Sequence, residues 1–161
     1  MAVPVVGLNS YITVEEADEI VANEYISSDE KRKWWSDLTV EDKGVLLVKA
    51  TSILNDDTMF GWVGVRVDPN QALAFPRNLK ITGVVEWNYR MSCGLIELIF
   101  TLNKTKISDN AAMIADGISS FSDGGGLSIK FSENAMSHNN IISDYALIIR
   151  QYFGNVSQYI W

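Results

Sequence analysis

Gln71-Ala72-Leu73-Ala74-Phe75-Pro76-Arg77 is the stretch on which the reading of this chain turns. It sets large apolar groups, a proline and an arginine where no helical or strand period accounts for them. Pro76 removes a backbone donor and restricts Phe75 to an extended conformation. Phe60-Gly61-Trp62-Val63-Gly64 comes shortly before it, and Asp68-Pro69-Asn70 adds turn signals. The segment from about 58 to 80 therefore reads as a long ordered loop rather than a linker, because it carries Phe60, Trp62, Leu73 and Phe75. Loops of that length inside compact domains are usually functional. Its candidate anchors are Trp62, Gly64, Gln71, Leu73, Phe75, Pro76 and Arg77. Trp62 and Phe75 are expected to pack the loop onto its surroundings, and Arg77 to bond a carboxylate or a helix end.

On either side the pattern is helical. Thr13-Val14-Glu15-Glu16 is a capping box, and Ala17, Ile20, Val21 and Tyr25 then share one face of a helix over about 14–26. Ser28-Asp29-Glu30 opens a short second helix through Trp34-Trp35. Thr39-Val40-Glu41-Asp42 starts a third, striped by Leu46, Ala50, Ile53 and Leu54 with Leu47 beside them, ending near Asn55-Asp56-Asp57. From about Val85 the helical pattern resumes, with Met91, Leu95, Leu98, Ile99 and Leu102 on one face. Gly94 inside that run reads as close packing against another helix. A last stripe of Ile142, Tyr145, Ile149, Tyr152 and Phe153 ends at Gly154, a C-cap signal. The fold class is mainly α: one domain over 1–161, a four- to five-helix bundle around Leu46, Ile53, Leu95, Leu98 and Ile99.

Residues 103–139 differ, being rich in Ser, Asn, Asp and Gly. Leu127-Ser128-Ile129-Lys130-Phe131-Ser132 alternates with period two, and Asp123-Gly124-Gly125-Gly126 separates it from Ile118-Ser119-Ser120-Phe121-Ser122. This predicts one β-hairpin over about 117–132. A two-stranded ribbon cannot bury its own face, so Phe121, Leu127, Ile129 and Phe131 are expected to meet another surface. Tyr152, Phe153 and a tail over about 155–161 ending in Tyr159 and Trp161 are expected to join them as a partner or subunit interface.

Composition bounds the function. The 161 residues are 47% hydrophobic, which is globular, and five Trp, six Tyr and six Phe are more than a core of this size needs. A net charge of −7 lacks the electrostatic footprint that drives phosphate binding. Lys31-Arg32-Lys33, the one dense basic run, reads as a solvated helix face. Cys93 reads as a small buried hydrophobe and His138 as a solvated loop residue, so neither a zinc site nor a nucleophile emerges. Gly124-Gly125-Gly126 lacks the Lys-Ser/Thr of a phosphate-binding loop. No enzyme, metal or cofactor is expected. The apolar stretch near Leu95 to Leu102 is broken by Glu97 and too short to span a bilayer, and the N-terminus lacks a signal pattern, so a soluble protein without a membrane partner is expected.

Four motifs in order carry a resemblance. They are Asn9-Ser10-Tyr11-Ile12 with Glu15-Glu16-Ala17-Asp18, Ala50-Thr51 with Ile53-Leu54-Asn55, Trp62-Val63-Gly64, and Gln71 through Arg77. They resemble the tailed-phage head-tail connector (adaptor, head completion) proteins, some of which are labelled DnaT-like single-stranded DNA-binding. The resemblance implies a virion structural protein, a ring of roughly twelve copies between portal and tail or stopper that extends the DNA channel. The implied partners are a portal protein, neighbouring copies, a tail or stopper protein, and genomic DNA in non-specific passage. The implied location is the virion neck, after assembly in the host cytoplasm. The alternative is a single-stranded DNA-binding protein of replication type, which needs a basic groove with stacking aromatics.

Overall fold

The computed structural model describes residues 3–56, 60–107, 120–122, 128–130 and 144–158. Three N-terminal helices follow one another: α1 (Val14–Glu24), α2 (Glu30–Asp37) and α3 (Val40–Leu54). Their starts obey capping chemistry. Thr13 accepts from the Glu16 amide at 3.1 Å while the Glu16 carboxylate accepts from the Thr13 amide at 2.7 Å, the reciprocal box read from the sequence. Asp29 caps α2 by accepting from the Lys31 amide and Thr39 caps α3 by accepting from the Asp42 amide.

Helix α4 (Tyr89–Leu102) is the centre of the molecule. It packs against α1, α3 and the C-terminal helix α6, which runs over 144–148 and closes as a π-turn over Ile149–Phe153. Being enclosed on three sides explains why Met91 through Ile96 and Leu98 through Phe100 are all buried. Each fully buried Leu or Ile contributes about 1.5–3 kcal/mol relative to exposure. Gly94 marks a close approach, as expected: a Cβ there would lie 2.7 Å from the Tyr152 Cβ and 2.8 Å from the Phe153 ring. The short helix α5 (Lys104–Ile107) follows, against α2 and α4. No described helix is long and apolar enough to cross a membrane.

The structure corrects the bundle in three places. The buried stripe of α3 is Leu47, Ala50, Thr51 and Leu54, whereas Leu46 and Ile53 are only partly buried, since α3 turns about one residue further toward α4 than the leucine pattern suggested. Helix α4 starts at Tyr89, capped by Asn88, and Val85 belongs to a strand. The stretch expected to be a loop contains strands: β1 (Gly61–Trp62), β2 (Val65–Arg66) and β3 (Arg77–Leu79), with β4 (Gly83–Val85) after it. Strands β2, β3 and β4 form an antiparallel sheet in that order, with Val65 opposite Asn78 and Asn78 opposite Val84. The fold is thus mainly helical with small antiparallel sheets.

The predicted hairpin is present as β5 (Ser120–Ser122) paired with β6 (Ser128–Lys130), Phe121 opposite Ile129. Leu127 and Phe131 lie outside the described residues. The expected tail is tied down in part. Gly154–Val156 forms a 3-10 turn, Val156 is buried, and β7 (Ser157–Gln158) pairs antiparallel with β1. Tyr159 and Trp161 lie outside the described residues.

Candidate functional site

The residues singled out by the motifs converge on one joint. Asn55, last in the third-helix motif, accepts through Oδ1 from the Tyr11 hydroxyl at 2.9 Å and from the Ala74 amide at 2.8 Å. The Tyr11 oxygen also accepts from the Phe75 amide at 3.4 Å. The Trp62 indole donates to the Leu54 carbonyl at the end of α3, 2.7 Å away. One tyrosine, one asparagine and one tryptophan therefore satisfy polar groups that burial would otherwise leave costly.

Phe75 lies at the centre of this joint. Its ring meets Tyr11, Trp62, Trp87 and Phe153 at centroid distances between 5.1 and 6.3 Å, the first three edge-on. Tyr11 and Trp87 stack face to face, 3.6 Å apart and 2° from parallel. Burial pushes the Tyr11 phenol up to about 12, against the amides of Phe75 and Ala74 and the nearby Arg66 and Arg77.

Gln71 and Arg77 hold the loop. The Gln71 amide nitrogen donates to the carbonyls of Leu73 and Pro76, and its oxygen accepts from the Asp68 amide. Buried Arg77 donates to the carbonyls of Val63, Ala74, Trp62 and Gly64. These four backbone oxygens belong to the loop itself. The loop turns sharply around the guanidinium and brings its own carbonyls within reach. Gly64, at φ 79°, is required there: a Cβ would strike the Asn78 carbonyl and lie 2.8 Å from the Leu79 side chain. Leu73 is buried and Pro76 half-buried.

The predicted interface residues divide. Phe153 is a core residue of the joint, because the close packing at Gly94 draws α6 inward. Tyr152 is only partly buried. Tyr11 and Asn55 stand in two separate motifs that nothing in the sequence pairs, and Trp87 lies in none of the motifs. Their signal was the polar end each carries beside an irregular segment whose amides need partners.

The basic run is not a solvated face. Arg32 donates to the carbonyls of Ala22 and Tyr25 at the end of α1, which satisfies part of that helix terminus. Lys31 pairs with Glu97 of α4 at 3.1 Å and lies 5.5 Å from the centre of the Tyr25 ring. Of the three, Lys33 is exposed.

A second aromatic group surrounds Cys93 on α4. Tyr25 at the end of α1 donates its hydroxyl to Glu97, and Tyr89 donates to Glu24 at 2.8 Å. Tyr152 comes from α6 and lies against Gly94. Burial and the Glu97 carboxylate push the Tyr25 phenol far up, and burial pushes the Cys93 thiol up, away from reactivity. Among the described residues, no group of three or more His, Cys, Asp or Glu is placed to hold a metal ion.

A family model described as "Putative DnaT-like ssDNA binding protein" matches residues 2–92, more than half the chain. The chain belongs to this DnaT-like family. No curated protein and no solved structure matches the chain. The match reaches from the first motif through the joint to the head of α4, so the four motifs belong to one family segment. It overturns the expected function of a virion ring between portal and tail, and with it the head-tail connector and neck description. The DnaT-like match agrees with the alternative, a single-stranded DNA-binding protein. The portal, stopper and ring partners rest on the connector resemblance alone.

Proposed function

We propose that this protein binds single-stranded DNA as a non-catalytic module. The observation that carries the reading is the family match over residues 2–92. Charge placement supports it. The chain is acidic at −7, yet the segment 60–85 carries a local positive balance, with exposed Lys80, partly buried Arg66 and buried Arg77 against one carboxylate, Asp68. The joint holds this segment in one shape, so binding does not have to order it. With one or two phosphate contacts at most, from Lys80 and Arg66, affinity is modest and depends weakly on salt.

Titrating a labelled oligothymidine with the full chain at several salt concentrations tests this. We expect a preference for single strand over duplex and a slope of log affinity against log salt of about −1.4 or shallower, at about −0.7 per phosphate contacted. Absence of binding at low salt overturns the reading.

A further inference from the structure

We propose that the tyrosine strip over Cys93, formed by Tyr25, Tyr89 and Tyr152, is where bases of a bound single strand stack; this rests on the single-stranded DNA reading above. Three elements bring these side chains together: the end of α1, the head of α4 and the π-turn of α6. Tyr89 is the informative member. It is 54% exposed although it is a large aromatic, and its hydroxyl is held by Glu24. The bond to Glu24 favours one orientation of a ring that gains little from burial, while the stacking face is the ring itself, which phenylalanine would keep. Tyr25 and Tyr152 stand beside it partly buried.

The charges at the strip are balanced. Glu24 and Glu97 are the carboxylates, and both accept from tyrosine hydroxyls. Lys31 pairs with Glu97, and exposed Arg90 donates to the Gln151 carbonyl of α6. In a chain of net charge −7, a locally neutral strip of aromatic rings suits bases, which present a π-face without charge.

The test uses the full chain, labelled oligothymidine and anisotropy. Four proteins are compared: wild type, Tyr89→Ala, Tyr89→Phe, and Val40→Ser at the start of α3, where Val40 is 68% exposed and belongs to neither the strip nor the segment 60–85. We expect Tyr89→Ala to weaken binding about tenfold or more, the size of one lost stacking platform, with Tyr89→Phe and Val40→Ser close to wild type. If wild type binds and Tyr89→Ala binds equally well, the strip is overturned and the DNA-binding reading stands. If Tyr89→Phe loses as much as Tyr89→Ala, the hydroxyl rather than the ring is responsible, and stacking is overturned. If wild type does not bind, the DNA-binding reading fails and takes the strip with it.

Discussion

The joint around Phe75 and the strip around Cys93 are both aromatic, and they are built oppositely. In the joint, rings meet rings, and the polar ends of Tyr11 and Trp62 bond the side chain or backbone of α3. In the strip, the hydroxyls of Tyr25 and Tyr89 bond glutamates, and Tyr89 keeps much of its surface in water. An aromatic whose polar end joins an irregular segment to a helix becomes an anchor. Tyr89, whose polar end meets a charged side chain at the surface and whose ring is 54% exposed, stays available to a partner. The difference makes the joint a determinant of stability and the strip a determinant of contact.

The sharpest way to break the comparison is Phe75→Ala. Phe75 is 3% exposed and touches four aromatic rings, so its loss is expected to cost about 3–5 kcal/mol, read as a lower midpoint in chemical denaturation. An unchanged midpoint would mean that the loop is not anchored by this ring.

Alkaline titration comes next in size. The Tyr11 phenol has an ordinary value of 10.0 and stands at about 12 when folded. The unfolded chain therefore loses this proton first, and between those values the folded state holds more protons. The contribution is whole below pH 10 and is lost as pH rises toward 12, up to about 3 kcal/mol. Tyr25 shifts in the same direction and steepens the fall. Denaturation midpoints that stayed flat across this window would show that Tyr11 is open to water.

These effects also mark how much was readable in advance. N-cap signals announced α1, α2 and α3, and a 3.6-residue stripe gave the buried face of α1, because caps and amphipathic faces are local. Gly94 was legible for the same reason, as a missing side chain inside an apolar run. The strands β1 to β4 were not, since two or three residues show no period, and their pairing depends on Arg77 gathering carbonyls from Val63 to Ala74. The loop anchors were visible as residues out of pattern; their partners Asn55 and Trp87 were not, because those contacts cross the chain. The strip was invisible for a further reason. Tyr25, Tyr89 and Tyr152 are far apart in sequence, and only the packing of α1 and α6 on α4 assembles them.

Gly94→Ala sits between the two regions, since its neighbours are Tyr152 of the strip and Phe153 of the joint. The added methyl must displace both, at 2.7 and 2.8 Å, and overpacking of this kind costs about 1–3 kcal/mol. The variant is expected to lower the denaturation midpoint less than Phe75→Ala. If the proposal for the strip holds, it also weakens single-strand binding, because Tyr152 moves. A variant as stable as wild type would show that α6 slides freely on α4.

The smallest expected effect is the one that separates the regions most cleanly. Tyr89→Ala removes a ring that is more than half exposed, together with one surface hydrogen bond to Glu24. A change of that kind away from the core is expected to alter stability by less than about 0.5 kcal/mol. Equal melting of Tyr89→Ala and wild type, set against the loss expected for Phe75→Ala, would show that the two aromatic groups obey different rules. A destabilisation of Tyr89→Ala approaching that of Phe75→Ala would mean that the strip is an extension of the core. Its exposed ring would then be a structural prop, and any loss of DNA binding in that variant would follow from unfolding.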